Sequence, residues 1–197
     1  MVEIEIRGVL NKEQSDKLLD FLAGNAKFEQ SFKRLSVELE PADGVVVSEF
    51  NPDKMYLRIK KSDDEEKITL KMGNMESEKL EEVEVVFKTG QLLDAIKLFG
   101  AFGLRKGMIL FWESWVYEYH SCEVKVSKYT DDYYMWEIES RSDDEETSMK
   151  QVYDLANDLN LEVIKPEEFL AIAKWQNENI FEKFSMENLD RRLKESF

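Results

Sequence analysis

The chain has 197 residues, of which 43% are hydrophobic and 35% charged, enough for one large domain with a core of its own. Its formal net charge of −15 disfavours binding driven by nucleic-acid phosphates, although a small polyphosphate is compatible with positive charge held inside an acidic shell. One cysteine and one histidine exclude an internal disulfide and a zinc site with several Cys or His ligands. Any metal would therefore be held by carboxylates, which suits Mg²⁺, Mn²⁺ or Ca²⁺.

The sequence carries no signal for export or membrane insertion. No basic and apolar leader opens it, and no apolar run is long enough to span a bilayer. The one cysteine, Cys122, fits a reducing compartment. These features predict a soluble, cytoplasmic protein that has no membrane partner.

The first predicted strand, Glu3-Ile4-Glu5-Ile6-Arg7, sets a pattern that recurs along the chain. Because side chains alternate between the two faces of a strand, its three charged residues share one face and its two isoleucines the other. Seen alone, such a strand indicates a sheet with one face in water. Its recurrence, with acids and bases mixed each time, favours a closed barrel with a charged interior.

Alternation or aromatic-rich composition predicts eight strands in all. They lie at residues 3–7, 28–40, 55–61, 67–72, 79–88, 105–119, 122–129 and 133–141.

Two predicted helices interrupt these strands, and the end of the chain is predicted to be helical. The first helix follows Asn11, which forms a capping-box pattern with Gln14, and the second opens after residues 89–90. A similar capping pattern at Ser142 and a proline at position 166, suited to a first helical turn, start two more helices. A last short helix ends the chain.

The charged faces of the strands carry the residues that could do chemistry. Two carboxylates in an x-Glu-x-Glu pair lie about 7 Å apart along one face, and such pairs can hold hard divalent cations. Arginine can bind phosphate oxygens bidentately, and lysine binds them as a point charge. The acids on these faces are Glu3, Glu5, Glu82, Glu84, Glu123, Glu137 and Glu139, and the bases are Arg7, Arg34, Arg58, Lys60, Lys71, Arg105, Lys125 and Arg141.

A set of short motifs resembles the CYTH superfamily, the triphosphate tunnel metalloenzymes. The opening EIEIR at residues 3–7 resembles the family's E-x-E-x-K motif. The other matching pieces follow in family order and cover roughly residues 1–165. They are LRIK at 57–60, TLK at 69–71, EVE at 82–84, LRK at 104–106 and WEIE at 136–139.

This resemblance implies an α+β fold, an eight-stranded antiparallel β-barrel or tunnel with flanking helices over residues 1–165. Residues 166–197 would form a C-terminal helical extension packed on the same domain. It also implies a small-molecule triphosphate as the partner and Mg²⁺ or Mn²⁺ as the cofactor. By similarity, metal would be held by Glu3, Glu5, Glu137 and Glu139, and phosphate by Arg7, Arg58, Lys60, Lys71, Arg105 and Lys125.

The sequence departs from the family pattern at two positions. Arg7 stands where the family usually has lysine, and an arginine stays protonated, so it cannot act as a general base. Ser127 stands where an acidic residue is expected on the penultimate strand, and Glu123 is the candidate to replace it as a metal ligand.

Other charged and aromatic residues have simpler interpretations. Arg34 and Arg141 are interpreted as surface residues. An ion pair with the tunnel bases explains Glu82 and Glu84 at least as well as metal binding does. The aromatic run at 111–119 is interpreted as core, a helix-packing face or a dimer contact, so a homodimer stays open.

Three functions remain open on the sequence. The first is metal-dependent hydrolysis of a triphosphate such as tripolyphosphate or thiamine triphosphate. The second is a class IV-type adenylate cyclase, which converts ATP to cyclic AMP and pyrophosphate. The third is a polyphosphate- or nucleotide-binding module without turnover, which the two departures from the family pattern favour.

Overall fold

The structure, a computed structural model, describes residues 2–44, 55–63, 65–73, 79–142 and 144–197, with only the backbone described at residues 2, 3, 79 and 80. The strands within these ranges are β1 Val2–Leu10, β2 Lys27–Pro41, β3 Met55–Ser62, β4 Glu65–Met72, β5 Lys79–Phe87, β6 Leu104–Tyr119, β7 Cys122–Lys128, β8 Tyr134–Ser140 and β9 Glu182–Lys183. The helices are α1 Lys12–Asn25, α2 Leu92–Ala101, α3 Glu145–Asp158, α4 Pro166–Asn179 and α5 Met186–Ser196.

The strands form one antiparallel sheet in the order β2-β3-β4-β5-β1-β8-β7-β6-β9. The long strands β2 and β6 also pair with each other, from Lys27 opposite Glu118 to Pro41 opposite Leu104. This pairing joins the two ends of the eight-strand order, so each of the eight predicted strands has a partner on both sides. The sheet is therefore tunnel-like, and the predicted α+β class is confirmed.

The seam between β2 and β6 needs a glycine. Gly107 has a φ of +137°, and a Cβ there would lie 1.8 Å from the carbonyl oxygen of Glu38 on β2. Only a residue without a side chain lets the two backbones approach this closely.

The apolar faces of the strands point outward and pack under helices. On one side, Ile6, Val124 and Trp136 form a buried cluster with Leu22 of α1 and Val152 of α3. On the other side, the outward faces of β2 and β3 pack against α2 and α5. This second cluster includes Leu35, Val37, Ile59, Leu92, Ile96 and Leu189. Because both cores lie outside the strands, the charged faces are left to line the inside.

Most local predictions are confirmed by the structure. The capping box of Asn11 and Gln14 starts α1, and Pro166 is in the first turn of α4. The capping prediction at Ser142 is wrong, because Asp144 is the N-cap and its side chain accepts the Thr147 amide. The two-residue strand β9 was not predicted. No helix in the described ranges is long and apolar enough to cross a membrane.

Candidate functional site

A cavity of about 320 Å³ lies inside the ring of strands. Each of the strands β1 to β8 contributes side chains to its wall, and most of these are charged. The cations on the wall are Arg7, Arg34, Arg58, Lys60, Lys67, Lys71 and Lys125, and the carboxylates are Glu5, Glu38, Glu82, Glu84, Glu137 and Glu139. A chain with a net charge of −15 therefore gathers seven cations around one enclosed space.

Most of the residues selected from the sequence meet in this cavity. Those that line it are Glu5, Arg7, Arg58, Lys60, Lys71, Lys125, Glu137 and Glu139. The side chain of Glu3 lies outside the described part of the structure.

Two selected residues lie elsewhere. Arg105 is exposed at the start of β6, where its Nε donates a hydrogen bond to the carbonyl of Gly100 at 2.6 Å. Glu123 is near the turn that joins β6 to β7, and its carboxylate lies 3.7 Å from the half-exposed Arg141. Neither residue lines the cavity, so the structure gives no support to a phosphate role for Arg105 or a metal role for Glu123.

Arg34 lines the cavity, and its interpretation as a surface residue is wrong. The alternation along β2 puts Arg34 on the side of Ser36 and Glu38, opposite the buried Leu35. The alternation in the sequence therefore predicts that the Arg34 side chain faces inward. Lys67 and Glu38 also line the wall and were not selected.

Ion pairs neutralise most of the wall. Lys67 Nζ lies 2.8 Å from Glu84, and Lys71 Nζ lies 2.9 Å from Glu82. Further pairs join Glu5 to Arg7, Glu38 to Arg58 and Glu137 to Lys125. Such pairing is what buried charges require.

Arg34 is bound differently from the other cavity arginines. Its Nε donates to the Ser62 hydroxyl at 2.7 Å, and its guanidinium lies over the rings of Phe32 at 4.5 Å and Trp112 at 5.8 Å. Among the described residues, no carboxylate lies within ion-pair distance of it. Its charge is therefore available to an anionic ligand.

Lys60 has an unusual protonation equilibrium. Burial and the neighbouring Arg58 lower the pKa of Lys60 to about 7. The carboxylates of Glu82 and Glu84, at 3.7 and 3.8 Å, oppose this only in part. Near neutral pH the amine is therefore close to half-protonated, and an anion beside it would favour the charged form.

Glu137 stays ionised despite its position inside the tunnel. Burial by itself would raise the pKa of Glu137, but the charges of Lys125 and Arg7 more than offset this and lower the pKa to about 2. In the same way, burial would lower the pKa of Lys125, but Glu137 and Glu5 together raise it. The two groups hold each other in the charged state.

Glu5 and Glu139 are the carboxylates best placed for a metal ion. They are directly opposite each other on β1 and β8, and both line the cavity. Like charges in such a cross-strand pair repel unless a cation lies near. The described residues contain no group of three or more acids arranged to hold a metal. Mg²⁺ is, however, commonly bound by one or two carboxylates together with substrate phosphates, so this pair fits a hard divalent cation.

The helix α4 and the turn after it close part of the cavity. One face of α4 contributes Phe169, Ala173, Gln176 and Asn177, and Phe181 follows the helix. Gln176 is the residue of α4 that is buried. The strand pattern gave no signal for these residues, because they come from outside the sheet.

The cavity also has an aromatic wall. Tyr129, just after β7, stacks on Trp112 of β6 with a centroid distance of 5.5 Å and an interplanar angle of 28°. Phe181 also packs against Tyr129, with ring centroids 5.8 Å apart. All three residues line the cavity.

Comparison with known proteins identifies this fold. No family model matches the chain, and no curated protein is significantly similar to it. A protein of Pyrococcus horikoshii superposes with a TM-score of 0.64 at 22% identity, over 83% of this chain and 94% of that one. A candidate adenylate cyclase of Vibrio parahaemolyticus superposes with a TM-score of 0.62 at 10% identity, over 95% of this chain and 97% of that one.

A third structure with this fold has a described activity. It is a candidate adenylyl cyclase from Hippeastrum, described as having a dominant triphosphatase activity, with a TM-score of 0.55 at 17% identity. It matches over 82% of this chain and 89% of that one. The chain has the CYTH-type fold. The resemblance seen in the short motifs is thus confirmed for the fold, and the cavity of this CYTH-type fold is the candidate site.

Proposed function

We propose that this protein binds a triphosphate compound in the tunnel cavity and hydrolyses it with the help of a divalent cation. The observation that carries the proposal is the concentration of seven cations around a cavity of about 320 Å³ in a strongly acidic chain. Phosphate oxygens are the ligands that such a set of arginines and lysines binds best. Two candidate cyclases of the same fold, one of them described as having a dominant triphosphatase activity, support this choice of ligand.

Binding would exchange partners within the wall. In the structure, carboxylates neutralise cations such as Arg58 and Lys71. A triphosphate would take over part of this role. Arg34 and Lys60 would contribute positive charges that carboxylates neutralise less completely. The energetic cost of displacing an acid is lower where its ion-pair distance is long, as it is at Lys60.

Glu5 and Glu139 are the residues that would hold the divalent cation, with Glu137 beside them. When bound, this Mg²⁺ or Mn²⁺ would supply Lewis-acid polarisation of phosphoryl oxygens and a means of activating water. The arginines and lysines would neutralise and orient the phosphate chain. Arg7 stays protonated, so its contribution is charge and not proton transfer.

An adenylate cyclase is the second candidate, because two of the structures with this fold are described as candidate adenylate or adenylyl cyclases. In that reaction the ribose 3′-hydroxyl attacks the α-phosphate and pyrophosphate leaves. The same cation-lined cavity suits both reactions, and the placement of the substrate selects the bond that breaks. A binding module without turnover is the third candidate, favoured by Arg7 and by the extensive ion pairing.

One assay separates the three candidates. The protein is incubated with tripolyphosphate, thiamine triphosphate and ATP in the presence of Mg²⁺ or Mn²⁺, and the products are resolved. Orthophosphate supports the hydrolase, and cyclic AMP with pyrophosphate supports the cyclase. Binding without products supports the module.

Carboxamide variants then test the metal assignment. Glu5→Gln and Glu139→Gln should each reduce turnover by at least about 100-fold, because the change removes a charged ligand from the cation. Glu118→Gln is the matched control, since this carboxylate lies outside the cavity near Lys27 and Arg141. Full activity in both cavity variants would overturn the assignment of these carboxylates.

A further inference from the structure

Tyr129 presents a neutral hydrogen-bond donor to a cavity wall that is otherwise dominated by charges. Its side chain lines the cavity, and it comes from the turn between β7 and β8, not from a strand face. The phenol is close enough to Arg7, Arg58 and Glu137 to interact with them electrostatically. It therefore lies beside two of the cations that are expected to bind phosphate.

Three aromatic contacts hold the ring. Trp112 stacks on it at 5.5 Å, Phe181 contacts it at 5.8 Å, and Tyr133 packs edge-on at 6.0 Å. A ring held in this way loses little further conformational entropy when its hydroxyl engages a ligand. The arrangement is preorganised for binding.

No side chain or backbone group of the described residues forms a hydrogen bond with the Tyr129 hydroxyl. Two other cavity groups near it, Arg58 and Glu137, are both in ion pairs. Burial raises the pKa of Tyr129 well above its ordinary value, and the charge of Glu137 adds to this effect. The phenol is therefore a donor throughout the neutral and mildly alkaline range. Its hydroxyl can therefore donate to an acceptor that a ligand supplies in the cavity.

We infer that Tyr129 is a binding residue for the triphosphate, donating its phenolic hydrogen to a phosphate oxygen between Arg7 and Arg58. This inference rests on the proposed function, because it assumes a phosphate chain in the cavity. It gives the turn after β7 a direct part in recognition. Because the donor is neutral, it adds a hydrogen bond without adding a charge that would need a carboxylate partner.

The test compares two tyrosine variants by calorimetric titration with tripolyphosphate, with and without Mg²⁺. Tyr129→Phe removes the hydroxyl and keeps the ring contacts, so the protein should fold as before. Tyr117→Phe is the matched control, because Tyr117 is buried in the apolar cluster outside the strands, next to Phe28, and is not part of the cavity wall. Near-ultraviolet circular dichroism checks that both variants keep the aromatic packing.

We expect Tyr129→Phe to weaken tripolyphosphate binding by about 10- to 100-fold, as the loss of a hydrogen bond to a charged acceptor does. Tyr117→Phe should bind within about twofold of the wild type. Equal affinity of Tyr129→Phe and wild type, or equal weakening in both variants, would overturn the role of Tyr129 and leave the proposed function standing. A wild-type protein that binds no tripolyphosphate would overturn both.

Discussion

At the scale of single residues, Lys60 is expected to make ligand binding depend on pH. Its pKa is about 7 in the free protein, and phosphate oxygens beside it would raise that value. A group whose pKa rises on binding takes up a proton, so affinity is highest at the lower pH and falls as pH increases. Between pH 7 and 9 the affinity for tripolyphosphate should fall, by at most about 10-fold per pH unit. Calorimetric titration at pH 7, 8 and 9 measures this slope.

Lys60→Arg is the control for this slope. Arginine keeps its charge over the whole range, so the variant should bind with nearly the same affinity at pH 7 and at pH 9. If the variant kept the full pH slope of the wild type, the slope would have to come from another group or from the ligand itself.

Glu137 shows how the loss of one cavity charge should affect stability. The Glu137→Gln variant leaves Lys125 without its main partner inside the tunnel. Because the pKa of Glu137 is lowered in the folded state, its contribution is present above the ordinary carboxyl pKa and is lost as pH falls toward about 2. At pH 7 the variant should lose about 1–3 kcal/mol of unfolding free energy, measured with urea. At pH 3 its deficit relative to wild type should be smaller, and an unchanged deficit would contradict the assignment.

Strand alternation predicts the inward-facing residues well within the strands. It fails at strand ends, in turns and in helices that approach the cavity. The alternation in EIEIR was enough to predict that Glu5 and Arg7 face inward, since only one face of β1 could pack under helices. Arg105 does not line the cavity, because it lies at the exposed start of β6, beyond the inward-facing Leu110 and Trp112. Tyr129 and the residues of α4 have no strand period to reveal them, so only the tertiary structure brings them to the cavity.

At the scale of elements, a buried carboxylate fixes the start of α2. Glu66 of β4 is 2% exposed, and one of its oxygens accepts the backbone amides of Gln91 and Leu92 at 2.8 and 2.7 Å. Lys61 balances its charge at 3.6 Å. Glu66→Ala should therefore reduce the unfolding free energy by about 1–3 kcal/mol, because two amides at a helix start lose their acceptor.

Urea unfolding measures this change, and Glu65→Ala provides the control. Glu65 is adjacent on the same strand but exposed, with a long contact of 3.7 Å to Lys67. Its removal should change the unfolding free energy by less than about 0.5 kcal/mol. Equal effects of the two substitutions would show that Glu66 does not stabilise the start of α2 by accepting these amides.

The helix α4 is expected to be the least firmly held of the elements around the cavity. Gln176 is its buried residue, held by a bond from its amide to Tyr133, whereas Leu170 and Trp175 are largely exposed. Hydrogen exchange should therefore be faster in α4 than in β1 or β8. Tripolyphosphate should slow exchange in α4, because Phe169 and its helix face line the cavity. Exchange in α4 that is as slow as in β8, or unaffected by ligand, would contradict this.

The sequence predicts elements best where a period is long. All eight predicted strands are present with ends shifted by a few residues, because alternation weakens where a strand meets its turn. β9 has two residues and no pattern of its own, so its pairing with Met108 and Ile109 could not be predicted. The start of α3 was misplaced because Ser142 and Asp144 are both good caps, and the local backbone selects Asp144.

At the scale of the whole molecule, the strands place their charged side chains inside and their apolar side chains outside, the reverse of the usual arrangement. The apolar faces of the strands pack outward under helices, and the charges of the strands face a central cavity. Folding therefore places cations close together inside a chain of net charge −15. A polyanion that binds the folded state alone would stabilise it, by about 2.7 kcal/mol at a concentration 100 times its dissociation constant.

The central claim is that this cavity binds the phosphate chain, and calorimetric titration of tripolyphosphate with Arg34→Gln tests it most directly. Arg34 lines the cavity without a carboxylate partner among the described residues, so the variant should fold normally. Arg141→Gln removes an arginine that pairs with Glu29 and Glu118 outside the cavity. The account predicts that Arg34→Gln binds at least about 10-fold more weakly than wild type, and that Arg141→Gln binds like wild type. Equal affinities for all three proteins, or no binding by the wild type, would contradict it.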